Sequence, residues 1–167
     1  RQWRQEAVSS GMGKAVNQFG SIAFFTGYHS KGWVPVKNLT TNIFPGEEKF
    51  KAEYIRKEIY EGVFRSCLNC TYHHCQTVKV KKGPCKGFVG EEVEYEILAG
   101  FGPNWGIYDP GTTTMLNSLN DDLGMDAKEV TFVVSMIMEG YGKGMVSRKD
   151  LDGLDMKWGN AEAAVQM

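Results

Sequence analysis

The chain has 167 residues, 42% of them hydrophobic and 23% charged, which suits one globular domain with a real core and is too short for two comfortable ones. Its formal net charge of -1 sets up no field that would recruit nucleic acid or an anionic membrane. No apolar run is long enough to span a bilayer and the polar start is no signal peptide, so the expected setting is cytoplasmic, where thiols stay reduced.

The first segment, RQWRQEAVSSGMGKAVNQFG, carries Trp3, Ala7, Val8, Met12, Ala15, Val16 and Phe19 at helical spacing, with Gly20 placed as a C-cap. The aromatic, turn-rich stretch after it reads as a packed loop. A helix is predicted from about Gly46 to Gly62, its stripe of Ala52, Ile55, Ile59 and Val63 facing the core. SCLNCTYHHC, residues 66–75, follows at once. TVKVKKGPCKGFVG then reads as a short hairpin turning at Gly83 and Pro84. EEVEYEILAGFGPNWGIYDPG sets carboxylates beside Tyr95, Ile97, Leu98 and Phe101. Asp109 caps a helix with Pro110 at its first position, running to about Leu123, where Gly124 stops it. Asp126 caps the next, with Glu129 completing a capping-box pattern. That helix contains VTFVVSMIMEGYG, apolar on nearly every side, and belongs inside a larger body. A loop then leads to a final short helix capped at Asn160. The fold class expected is mainly α, with a short hairpin and long irregular loops. The chain opens at Arg1 inside a helical pattern and stops at Met167 soon after the last cap, so a piece of a longer protein is expected.

Cys67 and Cys70 have Cys-x2-Cys spacing and Cys75 follows after four residues, so several soft donors share one turn-rich loop. Zinc bound by Cys67, Cys70, Cys75 and either Cys85 or a histidine is one reading. Three irons of a 4Fe–4S cluster, with a distant fourth cysteine, is the other. The spacing does not decide between them. His73 and His74 are adjacent and point apart, which makes them surface or supporting histidines. Glu94 and Glu96 share a face if their segment is extended, and apolar neighbours raise the pKa of a carboxylate they desolvate. DDLGMD, residues 121–126, is explained by helix stop and helix cap alone; its short carboxylates and helix N-terminus also suit a polar ring system.

The order of these pieces resembles the tungsten-dependent aldehyde ferredoxin oxidoreductase family. That family shows a cysteine loop, a "PEYET" segment followed by "FGPN", an Asp-x-x-Gly-Leu-Asp motif and a "GLDLRWGDAEA"-like stretch. Here they read SCLNCTYHHC, EYEILAGFGPNWGIYDP, NDDLGMD and GLDMKWGNAEA, with GWVPVKNLTTNIFPGEEKF upstream. The resemblance implies a fragment, residues 1–167, of the helical middle domain, the N-terminal cofactor domain and the C-terminal domain being absent. It implies that Cys67, Cys70 and Cys75 hold a 4Fe–4S cluster, the fourth cysteine lying outside this chain. Asp121, Gly124 and Asp126 match the first pterin-binding motif of a tungsten (or molybdenum) bis-pterin. Glu96 matches the carboxylate beside the metal, with Glu94 as a neighbouring cofactor contact. The implied reaction oxidises aldehydes to carboxylic acids, with ferredoxin or an iron–sulfur subunit as partner. Reduction of aromatic thioesters, as in the benzoyl-coenzyme A branch, and a non-enzymatic zinc module are the alternatives. Four residues rather than three between Cys70 and Cys75, Val93 for Pro, Met125 for Leu and Trp105 after Asn104 depart from the pattern.

Overall fold

The structure is a computed structural model and describes residues 2–65, 68–72 and 74–167. It is mainly helical with one small sheet. Helices α1 (Gln2–Ser9) and α2 (Gly11–Phe19) replace the single helix expected. The break falls at Ser10, whose hydroxyl accepts from Gly13 N at 2.9 Å and so starts a new helix. Nothing in α1 is buried, and Trp3 and Met12 are exposed; this apolar stripe meets the core only at its end, where Phe19 packs against it. Gly20 ends α2 with a φ of 70°, as its position predicted.

The supposed loop is partly helical: a 3-10 turn over Gly20–Phe24 runs into α3 (Phe25–Ser30). Phe25 is fully buried against Phe44 and Phe50. Farther along, Lys37, Asn38 and Leu39 all take positive φ. Non-glycine residues rarely do so, and here cross-links hold them. Asn38 N donates to Asn104 Oδ1 at 2.9 Å, its Nδ2 donates to Glu139, and its Oδ1 accepts from Ser135 at 3.0 Å.

The helix expected over 46–62 is also interrupted. Helices α4 (Glu47–Phe50) and α5 (Ala52–Tyr54) are separated by Lys51, and a π-turn over Ile55–Ile59 gives way to strand β1 (Tyr60–Phe64). Phe50, Ala52, Ile55 and Ile59 are buried as the stripe required, whereas Val63 is on the strand and exposed. Strand β1 pairs antiparallel with β2 (Gln76–Val80), and β2 with β3 (Val89–Glu91), so the expected hairpin is present and gains a third strand. The cysteine loop is thus the connection between β1 and β2, closed at its foot by Arg65 N donating to Cys75 O at 2.7 Å.

After β3 the chain enters α6 (Tyr95–Phe101), packed on α7 (Pro110–Asp122) and α8 (Ala127–Gly142). Gly100 permits the close approach, because a Cβ there would lie 2.7 Å from the Thr131 side chain. The caps read from sequence are in place. Asp109 accepts from Thr112 N at 2.8 Å, and Asp126 Oδ1 accepts from Lys128 N and Glu129 N at 2.9 and 3.0 Å. Asn160 Oδ1 accepts from Ala163 N at 3.2 Å and opens α9 (Ala161–Gln166). Two apolar cores result, one around Phe25, Phe50 and Val78 and one around Phe101, Trp105 and Met138. Phe132, Val133 and Met136 on α8 remain exposed. No helix is long and apolar enough to cross a membrane among the described residues.

Candidate functional site

The site is assembled where the β1–β2 loop meets the start of α6 and the end of α7. Cys75, Glu92, Glu94, Asn117 and Asp121 line one cavity of about 360 Å³. The sheet places Cys75 at the root of β2, the β3–α6 connection carries Glu92 and Glu94, and α7 delivers Asp121 from its last turn. His74, Cys75 and Glu94 bring one ligand atom each within 4.8 Å of one another, a group able to hold a metal ion. His74 Nδ1 is 3.7 Å from Cys75 Sγ, so this half-buried histidine belongs to the site rather than to the open surface.

Cys67 and His73 lie outside the described residues. Cys70 is half-buried and its thiol donates to Tyr72 O at 2.9 Å. Cys70, Cys75 and Cys85 form no disulfide among the described residues. Cys85 is elsewhere: its Sγ lies 3.8 Å from Thr112 Oγ1, and it lines a second cavity with Tyr108 and Trp158. Its position therefore gives no support to a four-cysteine zinc site.

Of the carboxylates of EEVEYE, Glu91, Glu92 and Glu94 line the Cys75 cavity and Glu96 does not. Because the segment turns helical at Tyr95, Glu94 and Glu96 do not share a face; successive helical residues are about 100° apart, so positions two apart point nearly opposite ways. Glu94 faces the Cys75 cavity and accepts a hydrogen bond from Ser21, whose hydroxyl in turn accepts from Tyr95 N at 2.7 Å. Glu96 is exposed and lines a separate cavity of about 130 Å³ with Pro35, Tyr95, Lys128 and Phe132. The desolvated carboxylate is Glu92, whose side chain is only 5% exposed. Burial pushes its pKa up to about 8, against the opposing attraction of Arg56.

Arg56 is the other residue the sequence did not single out. Its Nη2 lies 2.9 Å from Glu92 Oε2 and donates to His74 O at 3.1 Å. The only sign of this pair in the sequence is the density of acids in GEEVEYE. Nothing in IRKEI marks Arg56 as inward-facing, since the π-turn that orients it has no signature there.

In the 121–126 turn, Asp121 Oδ2 accepts from Asn117 Nδ2 at 3.2 Å and Gly124 has a φ of 66°. Nothing lies within 4 Å of where a Gly124 Cβ would be, so the backbone there is open to close approach. Asp126 spends one carboxylate oxygen on the first N–H groups of α8, which are therefore not free for a ligand. All three residues are exposed, and only Asp121 reaches the Cys75 cavity.

Comparison with known proteins gives the same assignment as the motif order. At 26% identity over 140 residues, the chain resembles the aliphatic sulfonate oxidoreductase, WOR-like subunit, of Pyrococcus furiosus, covering 84% of this chain and 20% of that protein. It is 26% identical over 170 residues to the tungsten-containing aldehyde ferredoxin oxidoreductase of the same organism, covering 95% of this chain and 25% of that one. The corresponding protein of Pyrococcus horikoshii is 23% identical over 168 residues, covering 95% and 25%. The chain thus spans a quarter or less of the length of these relatives. The family described as aldehyde ferredoxin oxidoreductase, domains 2 & 3, matches residues 1–167 from end to end, and the chain belongs to that family.

Proposed function

We propose that residues 1–167 are the helical domain of a tungsten (or molybdenum) bis-pterin oxidoreductase with a 4Fe–4S cluster, converting aldehydes to carboxylic acids with ferredoxin as electron acceptor, in the cytoplasm. The supporting observation is that Cys75, Glu94 and Asp121, from three separate motifs, line one cavity. The donor set suits the two groups: soft thiols for iron and hard carboxylates for the polar edges of a pterin. In this reading Cys67, Cys70 and Cys75 hold the cluster, a cysteine outside the chain supplies the fourth ligand, and Cys70 gives up its bond to Tyr72 O. Asp121, Gly124, Asp126 and Glu94 hold the pterin.

Aldehyde and water give carboxylic acid, two protons and two electrons, and each electron reduces one ferredoxin. A bound metal–pterin centre would supply two-electron redox chemistry and a cluster one-electron transfer. Glu96 binds the adding water and takes its proton, a role that needs a carboxylate within hydrogen-bond reach. Its exposure here leaves that face for other parts of the longer protein, which exclude bulk water. Replacing it, Glu96→Gln, in the full-length enzyme is expected to lower turnover about 100-fold or more with tungsten and iron contents unchanged. Unchanged turnover would remove Glu96 from the mechanism.

A further inference from the structure

The buried arginine beside the cysteine loop has hydrogen-bonding capacity that the described residues do not use. Arg56 Nε and Nη1 are buried and have no hydrogen-bond partner among the described residues, and Glu92 Oε1 is in the same position. An orphaned buried guanidinium N–H is costly, so its retention calls for a reason. The surroundings are built around it. The Phe64 ring centroid lies 5.7 Å from Arg56 Cζ. At Gly20 a Cβ would sit 3.1 Å from His74 Nδ1 and 3.8 Å from Arg56 Nη2, so the 3-10 turn closes over both groups. Arg56 Nη2 donates to His74 O at 3.1 Å, one residue before Cys75, and His74 Nδ1 lies 3.7 Å from the Cys75 sulfur, so the guanidinium sits next to the root of the loop. Burial pulls it below its ordinary pKa, opposed first by Glu92.

We propose that Arg56 is a positioning residue of the iron–sulfur site, pinning the cysteine loop through the His74 carbonyl and holding a fixed positive charge beside Cys75 that favours the reduced cluster. This rests on the cluster reading given above. Each electron taken up makes the cluster one charge more negative, and a cation in a poorly solvated site stabilises that form more than the oxidised one. Hydrogen bonds and net charge around a cluster are among the levers that set its potential. Nη2 fixes the loop, while Nε and Nη1 remain available to sulfur.

The test is an EPR-monitored redox titration of the anaerobically purified full-length protein and of R56Q, R56K and R56Q/E92Q. R56Q is expected to lose about tenfold in the equilibrium constant for cluster reduction, a fall of about 59 mV for one electron. R56K keeps the charge and is expected to stay near the wild-type potential. The double variant leaves no buried charge behind, so it is expected to load iron even if R56Q does not, and to show the same fall. An unshifted midpoint in R56Q or the double variant overturns the proposal, and so does an equal fall in R56K, which would assign the effect to loop distortion. Wild-type protein with no cluster signal would instead overturn the cluster reading itself.

Discussion

Glu92 shows how a single side chain records the balance of forces at this site. Burial opposes its charge, Arg56 favours it, and burial wins, leaving a pKa of about 8 where an ordinary glutamate has 4.5. Between those two values the folded protein keeps a proton that the unfolded chain has released. Stability from this group is therefore fully present at low pH and declines as pH rises from about 4.5 to about 8, by a few kcal/mol in all. Glu92→Gln removes the slope. Thermal unfolding of both proteins from about pH 5 to about pH 9 should show the variant gaining on wild type as pH rises; a difference independent of pH would refute this assignment. The sequence identified a carboxylate-rich stretch beside apolar residues, but not which carboxylate is buried. That was decided by a helix beginning at Tyr95, which sent Glu94 and Glu96 to different cavities and left Glu92 buried against Arg56.

Helix caps were legible because their chemistry is local: Asp109, Asp126 and Asn160 each bond to N–H groups two or three residues ahead. Helix continuity was not. Ser10 was read as part of one helix and instead starts another, and residues 55–64 carry a helical stripe whose second half is drawn into a strand by pairing with Gln76–Val80. Pairing with a partner distant in sequence leaves no mark on spacing. The left-handed run Lys37–Leu39 was likewise invisible, since it is held by Asn104, Ser135 and Glu139. Asn38→Ala should cost about 2 kcal/mol through lost hydrogen bonds and left-handed strain, and Asn38→Gly about 1 kcal/mol less because glycine accepts that φ. Urea unfolding midpoints measure both; an alanine variant as stable as the glycine variant would refute the strain argument.

The motif order pointed to the family without any knowledge of the fold, and the fold adds why those motifs belong together. A hairpin loop, a helix start and a helix end lie far apart in the chain and meet at one cavity between two apolar cores. On α8, Phe132, Val133 and Met136 form an apolar face exposed among the described residues. The decisive measurement is metal and sulfide analysis of the full-length protein purified without air. Iron and acid-labile sulfide in equal amounts, together with tungsten or molybdenum, are the expected result. Stoichiometric zinc with neither iron nor a group-six metal would contradict it.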